Sequence, residues 1–197
     1  MYAFKNKYFL IIQSIKDINL ENIKKRNKFS IIYRYKNSID NLPDLLNFRR
    51  FCKLKSIKFY VANNVGLAIF LNSDGIYLSA YNKSLKSLFL KKSNFKIIGS
   101  AHNLREISLK VKQGCENILF SKLFLVNYEK KSPFLGVIKF NNYLKVNKHL
   151  IPLGGISSKN LNSLNSVNSK GFALLSEVKK SRLIFLAGFF RIFLNVN

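Results

Sequence analysis

The 197-residue chain is poor in several residue types, and the shortage of cysteine excludes two classes of site. It has no tryptophan, and its two cysteines, Cys52 and Cys115, lie far apart with no histidine pair near them. A zinc site and a disulfide framework are therefore excluded, and a reducing, cytoplasmic setting is expected. With no linker or low-complexity tract, the length predicts one domain over residues 1–197.

Acidic residues are the largest shortage, with 9 Asp+Glu against 34 Lys+Arg and a formal net charge of +25. Such a charge attracts nucleic acid, anionic membranes or phosphorylated small molecules. The basic residues are scattered, however, and the same segments are rich in Asn, Ile, Phe and Leu. This pattern favours a compositional bias, so nucleic acid is not the expected partner.

Short apolar runs alternate with helix-like segments at intervals of roughly 20–25 residues. The eight predicted strands are Phe9–Gln13, Ser30–Tyr35, Lys58–Ala62, Gly75–Ser79, Phe95–Gly99, Asn117–Leu123, His149–Leu153 and Phe172–Ser176. Several are apolar on both faces, as strands of a helix-covered parallel sheet are. The pattern predicts an α/β fold, a small (β/α)8 TIM barrel, with a doubly wound open sheet as the alternative.

Helix-like segments lie between the predicted strands, at Asn19–Arg26, Asp40–Lys55, Val65–Leu71, Lys83–Leu90, Asn103–Gln113, Phe140–Val146 and Ser158–Val167. An apolar C-terminal helix is predicted at about 180–195. It is too short to span a bilayer, and Arg191 interrupts it. Packing on the sheet is favoured over an interfacial anchor.

The stretch Leu150–Ser157 combines a short apolar run, two glycines and a serine. It predicts a buried strand, a tight turn at Gly154 and Gly155, and a capped helix start. A second strand follows at Gly171–Val178 and ends in polar residues. Two neighbouring strand ends of this kind predict a phosphate site. The alternative is that the glycines serve only the turn.

Other polar residues follow the predicted strands, where a barrel of this kind has its active site. Arg34 and Lys36 are two residues apart and therefore point to the same side, where both could bind phosphate. His102 is the candidate for proton transfer near neutral pH, and a merely solvated histidine is the alternative. A dedicated Mg²⁺ cage is not visible, because few carboxylates lie at these strand ends.

Several ordered motifs resemble those of the thiamine phosphate synthase and thiazole tautomerase (TenI) family. Arg34-Tyr35-Lys36 resembles its Q-x-R-x-K segment, and Asp74–Leu78 its A-D-G-V-H-L strand. Ile97–His102 resembles I-I-G-x-S-x-H with one residue fewer before the serine. Leu153–Asn160 resembles A-I-G-G-I-x-x-x-N, and Leu174–Ser176 resembles the V-V-S strand ending. The resemblance runs from about Phe9 to Val178 and implies a (β/α)8 barrel.

The resemblance implies coupling of a pyrimidine diphosphate to a thiazole phosphate, a transferase reaction of thiamine biosynthesis that releases pyrophosphate. Its implied catalytic residues are Arg34, Lys36, Ser100 and His102. The implied substrate-binding residues are Asn63, Lys130, Gly154, Gly155, Leu175 and Ser176. The family's two Mg²⁺ carboxylates correspond to Asn63 and Asn82, so any Mg²⁺ would have only weak ligands here.

Two other functions remain open beside the synthase. In the tautomerase branch, an isomerase that needs no metal, His102 would move a proton to aromatise the thiazole. The lost carboxylates favour that branch, whereas Arg34, Lys36 and Ser100 favour the synthase. A catalytically inactive relative that binds phosphate or RNA is the third alternative.

Overall fold

A computed structural model describes residues 7–23, 26–93, 95–126 and 133–175. Eight parallel strands pair in chain order, and the first also pairs with the eighth, so the sheet closes into a barrel. The strands are β1 (Lys7–Ile12), β2 (Phe29–Tyr33), β3 (Lys58–Ala62), β4 (Gly75–Leu78), β5 (Lys96–Ala101), β6 (Asn117–Ser121), β7 (Leu150–Leu153) and β8 (Gly171–Leu174). The predicted barrel is confirmed, and the doubly wound open sheet was wrong.

Five α-helices lie among the described residues, between the strands. They are α1 (Leu42–Leu54), α2 (Val65–Phe70), α3 (Leu104–Lys112), α4 (Gly136–Val146) and α5 (Leu161–Asn165). Short 3₁₀ turns occur at Ile15–Asp17, Leu20–Asn22, Arg26–Lys28, Lys86–Ser93 and Ser158–Asn160. No helix in the described ranges is long and apolar enough to cross a membrane. The helix predicted at about 180–195 lies outside those ranges.

Two predicted helices, Asn19–Arg26 and Lys83–Leu90, were wrong, because local side-chain hydrogen bonds hold the backbone in 3₁₀ turns. Asn19 Oδ1 accepts a hydrogen bond from Glu21 N at 2.9 Å in the first of these segments. In the second, Asn82 Oδ1 accepts from Ser84 N at 3.0 Å and Ser84 Oγ from Lys86 N at 3.2 Å. Bonds of this kind compete with the α-helical ladder.

Side chains alternate between the two faces of every strand and form two apolar layers. The barrel interior is filled by a cluster of ten buried residues: Phe9, Ile11, Ile32, Tyr60, Ala62, Tyr77, Ile98, Leu119, Ile151 and Ala173. A larger cluster lies outside the barrel wall, where the other strand faces pack against the helices. Because the interior is packed, a ligand has room only at the ends of the barrel or between its outer elements.

Several of the few carboxylates accept hydrogen bonds from backbone N–H groups. Asp17 Oδ2 accepts hydrogen bonds from Gln13 N and Ser14 N at 2.7 and 3.1 Å. Asp40 accepts from Ser14 Oγ at 2.7 Å and from Ile15 N at 3.0 Å. Within the described ranges only two ion pairs form, Arg49–Asp74 and Lys96–Glu116. These acids therefore anchor loops, and few carboxylates of the described ranges pair with a lysine or arginine.

Candidate active site

Arg34 and Lys36 follow β2 at the end of the barrel where the strands' carboxyl ends meet, called here the barrel mouth. Ile32, two residues before Arg34, points into the barrel interior, so the strand alternation directs Arg34 towards the mouth. The Arg34 backbone N–H donates to Ile12 O at 2.8 Å, which extends the β1–β2 pairing beyond the strand. Both cationic side chains are exposed, as a site for an incoming anion requires.

Tyr77 and Ser100 form a buried polar pair in the mouth. The Tyr77 ring belongs to the interior cluster, and the Ser100 side chain hydrogen-bonds to it. Burial raises the pKa of Tyr77, while Ser100 and the nearby charge of Arg34 oppose that rise. Tyr77 and Ser100 therefore place a phenol and a hydroxyl together, and Arg34 lies near enough for its charge to act on the phenol. Sequence reasoning missed Tyr77 as a site residue, although the alternation along β4 points it inwards.

Asn63 and Asn82 hydrogen-bond to each other across the ends of β3 and β4. Asn63 has φ of +56°, a left-handed conformation that asparagine tolerates better than most residues. Its Oδ1 accepts from Asn82 Nδ2 at 3.2 Å and from Ser79 N at 3.0 Å. Two donors thus already occupy the oxygen that would face a metal, and neither side chain is a carboxylate. This pair does not fit Mg²⁺, which prefers anionic oxygen ligands.

A lysine of α3 and the glutamine that follows this helix hold the loop that carries Asn82. Lys110 is fully buried, and its Nζ donates to Asn82 O at 2.7 Å and to Gln113 Oε1 at 2.8 Å. Gln113 Nε2 donates to Asn82 O at 2.9 Å and to Ser84 O at 2.8 Å. Burial lowers the pKa of Lys110. Sequence reasoning did not find this Lys110–Gln113 clamp, because a lysine on an amphipathic helix usually indicates an exposed face.

The turn after β7 is fixed by its backbone. Gly154 and Gly155 have φ of +93° and +68°, which side-chain-bearing residues rarely adopt. A Cβ at Gly155 would lie 2.5 Å from the backbone of Phe124 and of Leu125. Asn160 closes the turn, because its Nδ2 donates to Gly155 O at 2.7 Å. Packing alone therefore requires a glycine at Gly155.

The structure brings this turn to the mouth beside the end of β8. Leu175, just after β8, packs partly buried against the interior cluster. The helix predicted at Ser158–Val167 is shorter, a 3₁₀ turn followed by α5. The predicted residues Ser176 and Lys130 lie outside the described ranges.

His102 pairs with a residue that the sequence did not single out. One hydrogen bond of 2.8 Å joins His102 Nδ1 to Ser121 Oγ, at the ends of β5 and β6. The His102 backbone N–H donates to Glu106 Oε2 at 2.7 Å, which ties the histidine to the start of α3. The ring is exposed, so Nε2 is the nitrogen that can meet a ligand. No signal in the sequence links the two residues, which are 19 positions apart.

A family model described as thiamine monophosphate synthase matches residues 15–178 of the chain. The thiamine-phosphate synthase of Prochlorococcus marinus (strain AS9601) is 28% identical over 185 residues, covering 92% of this chain and 51% of the relative. That of Flavobacterium johnsoniae is 28% identical over 158 residues, covering 75% of this chain and 74% of the relative. The chain thus spans about half the length of the Prochlorococcus relative.

The solved structure of thiamine phosphate pyrophosphorylase from Pyrococcus furiosus superimposes with a TM-score of 0.71. The alignment covers 96% of both chains at 17% sequence identity. At this identity the likeness supports the fold, and the roles of individual residues depend on the geometry described above.

Proposed function

Because the chain belongs to the thiamine monophosphate synthase family, we propose that it couples a pyrimidine diphosphate to a thiazole phosphate and releases pyrophosphate. The observation that carries this proposal is the exposed pair Arg34 and Lys36 after β2, together with the buried hydroxyl groups of Tyr77 in β4 and Ser100 in β5. A cation beside two hydroxyl groups can bind a diphosphate and stabilise the charge that develops as it leaves.

The reaction would proceed by loss of pyrophosphate from the pyrimidine, followed by capture of the resulting carbocation by the thiazole nitrogen. Arg34 and Lys36 would stabilise the leaving pyrophosphate, and Ser100 would donate a hydrogen bond to it. Asn63 would contact the substrate through its amide. We derive no step through Mg²⁺, because the amide pair does not offer it suitable ligands.

The thiazole phosphate would bind at the other side of the mouth, between the turn after β7 and the end of β8. There the backbones of Gly154, Gly155 and Leu175 would surround the phosphate, and Ser176 and Lys130 are proposed to add contacts. The support is positional, since the two strand ends are neighbours in the barrel.

The test is a pyrophosphate-release assay with both substrates and purified full-length chain. We expect release in the wild type and a loss of roughly 10²–10³-fold in kcat for Arg34→Ala, because one electrostatic stabiliser is removed. Arg50→Ala removes the same charge from an exposed position on α1 and serves as the matched control. Absence of release from the wild type, with or without Mg²⁺, would contradict the proposal.

A thiazole tautomerase is the second candidate, and the His102–Ser121 hydrogen bond favours it. Ser121 fixes the ring orientation and leaves Nε2 available to move a proton. In this case we expect exchange of a thiazole proton that His102→Ala abolishes while pyrophosphate release is absent. Exchange that persists in this variant would exclude His102 as the proton carrier.

A further inference from the structure

A cavity of about 590 Å³ lies at the rim of the barrel, between α3 and α4. Among its lining residues are His102, Leu104, Arg105, Ser121, Phe134 and Lys139. Phe120 belongs to the cluster outside the barrel wall and packs edge-on against Tyr143, with ring centroids 5.2 Å apart. The α3–α4 cavity therefore reaches beyond the barrel interior, and its volume suits a small molecule.

The charged residues that line this cavity, among those the structure describes, are all basic. Arg105 lines it from the first turn of α3 and Lys139 from the first turn of α4, and neither makes a hydrogen bond or ion pair with another described residue. No acidic residue of the described ranges is among its lining residues. The neighbouring Glu106 accepts from His102 N and Asn103 Nδ2, at 2.7 and 3.0 Å. Arg105 and Lys139 thus lie on a concave surface that no carboxylate of the described ranges lines.

Ser121 and His102 add hydrogen-bonding groups to the same wall. Ser121 is buried, and its Oγ is 2.8 Å from His102 Nδ1. The hydrogen bond fixes the imidazole ring and leaves its other nitrogen, Nε2, available to a ligand. A phosphate or carboxylate oxygen is a suitable acceptor for such a donor.

Apolar side chains complete the cavity. Phe134 and Leu104 are 52% and 54% exposed at its edge, although both are large hydrophobic residues. Phe120 and Leu135 line it as well, and Phe120 is fully buried. A ligand that covered the exposed phenyl ring would remove apolar surface from water. The cavity therefore matches a molecule with an anionic group and an apolar body.

We propose that the α3–α4 cavity binds a small phosphate monoester whose organic part is aromatic or apolar. A phosphate monoester is largely dianionic at neutral pH, which matches the two cations Arg105 and Lys139. Arg105 binds its oxygens through a planar fork, and Lys139 and His102 contribute single donors. The organic part packs on Phe134 and Leu104. His102 also belongs to the tautomerase candidate, whereas Arg105 and Lys139 take no part in the reaction proposed for the barrel mouth.

Phenyl phosphate is the probe, titrated into the full chain by isothermal calorimetry, with inorganic phosphate and phenol as the two half-ligands. We expect saturable binding of phenyl phosphate, about tenfold weaker binding of inorganic phosphate and no measurable binding of phenol. Arg105→Ala and Lys139→Ala should each weaken phenyl phosphate about tenfold, since each removes one cation that pairs with the phosphate.

Lys112→Ala and Lys145→Ala are the matched controls, because they remove the same charge from the exposed last turns of the same helices. They should change the affinity less than twofold. Equal weakening by the control and cavity variants would overturn the proposal, because it would show diffuse attraction to a basic surface. An affinity for inorganic phosphate equal to that for phenyl phosphate would overturn the claim that the organic group packs on apolar side chains.

Phe134→Ala directly tests the packing of the phenyl ring on an apolar side chain. This exposed residue can be changed with little effect on folding, and it should weaken phenyl phosphate severalfold while leaving inorganic phosphate unchanged. Phe70→Ala, at a similarly exposed position on α2, is its control and should have no effect. An unchanged affinity for phenyl phosphate in Phe134→Ala would place the phenyl ring elsewhere and contradict the proposal.

Discussion

The two sides of the barrel mouth are held in shape by different contacts. On the β7–β8 side, backbone crowding fixes the turn, because Phe124 and Leu125 leave no room for a Cβ at Gly155. On the β3–β4 side, the Asn63–Asn82 pair and the buried Lys110 fix the loop through side chains. The first side depends on backbone packing and not on charge, whereas the second is formed by two neutral amides with a buried lysine underneath.

The largest effect is expected from Gly155→Ala, which changes the β7–β8 side of the mouth, the side that backbone packing fixes. The new Cβ would meet backbone atoms at 2.5 Å, and φ of +68° would add strain. We expect a loss of roughly 3 kcal/mol in the free energy of unfolding, because the contacts are to backbone that cannot rotate away. Urea denaturation measures it.

Gly154→Ala is the comparison for that variant. A Cβ there would approach Lys122 at 3.3 Å, a tighter contact than usual but without the overlap found at Gly155. Its loss should therefore be smaller, on the order of 1 kcal/mol, the usual cost of a disfavoured φ. Equal losses in the two variants would show that φ, rather than crowding, fixes the turn.

The double variant Asn63→Asp/Asn82→Asp changes the side-chain-fixed side. It removes the Nδ2 donor and places two carboxylates together, so we expect a loss of about 2 kcal/mol without divalent ions. Millimolar Mg²⁺ should restore much of that loss, because a cation between the carboxylates stabilises the folded state. The wild type should not respond to Mg²⁺ in the same thermal denaturation experiment.

Asn19→Asp/Asn41→Asp is the matched control, since it adds the same charge at two separate helix caps where Asp works as well as Asn. It should lose little stability and gain nothing from Mg²⁺. If Mg²⁺ stabilised the wild type as much as the facing-carboxylate variant, the neutral amide pair would not be a metal-free arrangement.

The smallest effect is expected from Lys110→Met, measured as a change in pH dependence. Burial lowers the pKa of Lys110 in the folded state, while in the unfolded chain it returns to about 10.4. Between these values the unfolded chain binds more protons, so wild-type stability should gain a component that rises with pH. Lys110→Met removes this component, and Lys112→Met, on the exposed end of the same helix, should keep it.

Urea midpoints from about pH 7 to about pH 9.5 provide the comparison. Above that range tyrosines act in the opposite direction, because burial raises the pKa of Tyr33 to about 12. The unfolded chain then loses its tyrosine protons first, and stability falls as pH rises above about 10. Identical slopes for Lys110→Met and the wild type would show that the buried ammonium is not the titrating group.

The barrel was predictable because its signal is local and repeated. Buried strands are short apolar runs, and β3 was predicted with its observed bounds at Lys58–Ala62. The Gly154–Gly155 turn was also predictable, since adjacent glycines indicate backbone with positive φ. The helix predicted at Asn103–Gln113 is observed as α3, capped by Asn103, whose Oδ1 accepts from Glu106 N at 3.0 Å.

The contacts that shape the rest of the mouth were not predictable, because they join residues far apart in the chain. Lys110 reaches Asn82 across 28 positions, and His102 meets Ser121 across 19. A periodic pattern assigns Lys110 to a helix but does not say whether its ammonium lies in water or under a loop. The two mispredicted helices failed for the opposite reason, since very local side-chain hydrogen bonds outweighed the apolar spacing.

The use of scarce carboxylates as backbone anchors has a consequence for encounter kinetics. Asp17, Asp40 and Glu106 hold loops and a helix start instead of neutralising lysines and arginines, so the net positive field extends into the solvent. A phosphorylated molecule is attracted by this field before it touches the surface. Its association rate should fall steeply as added salt shortens the screening length from about 30 Å at 0.01 M to about 10 Å at 0.1 M. The long-range field thus raises the association rate of every anion, while the local geometry of each site determines which of them remain bound.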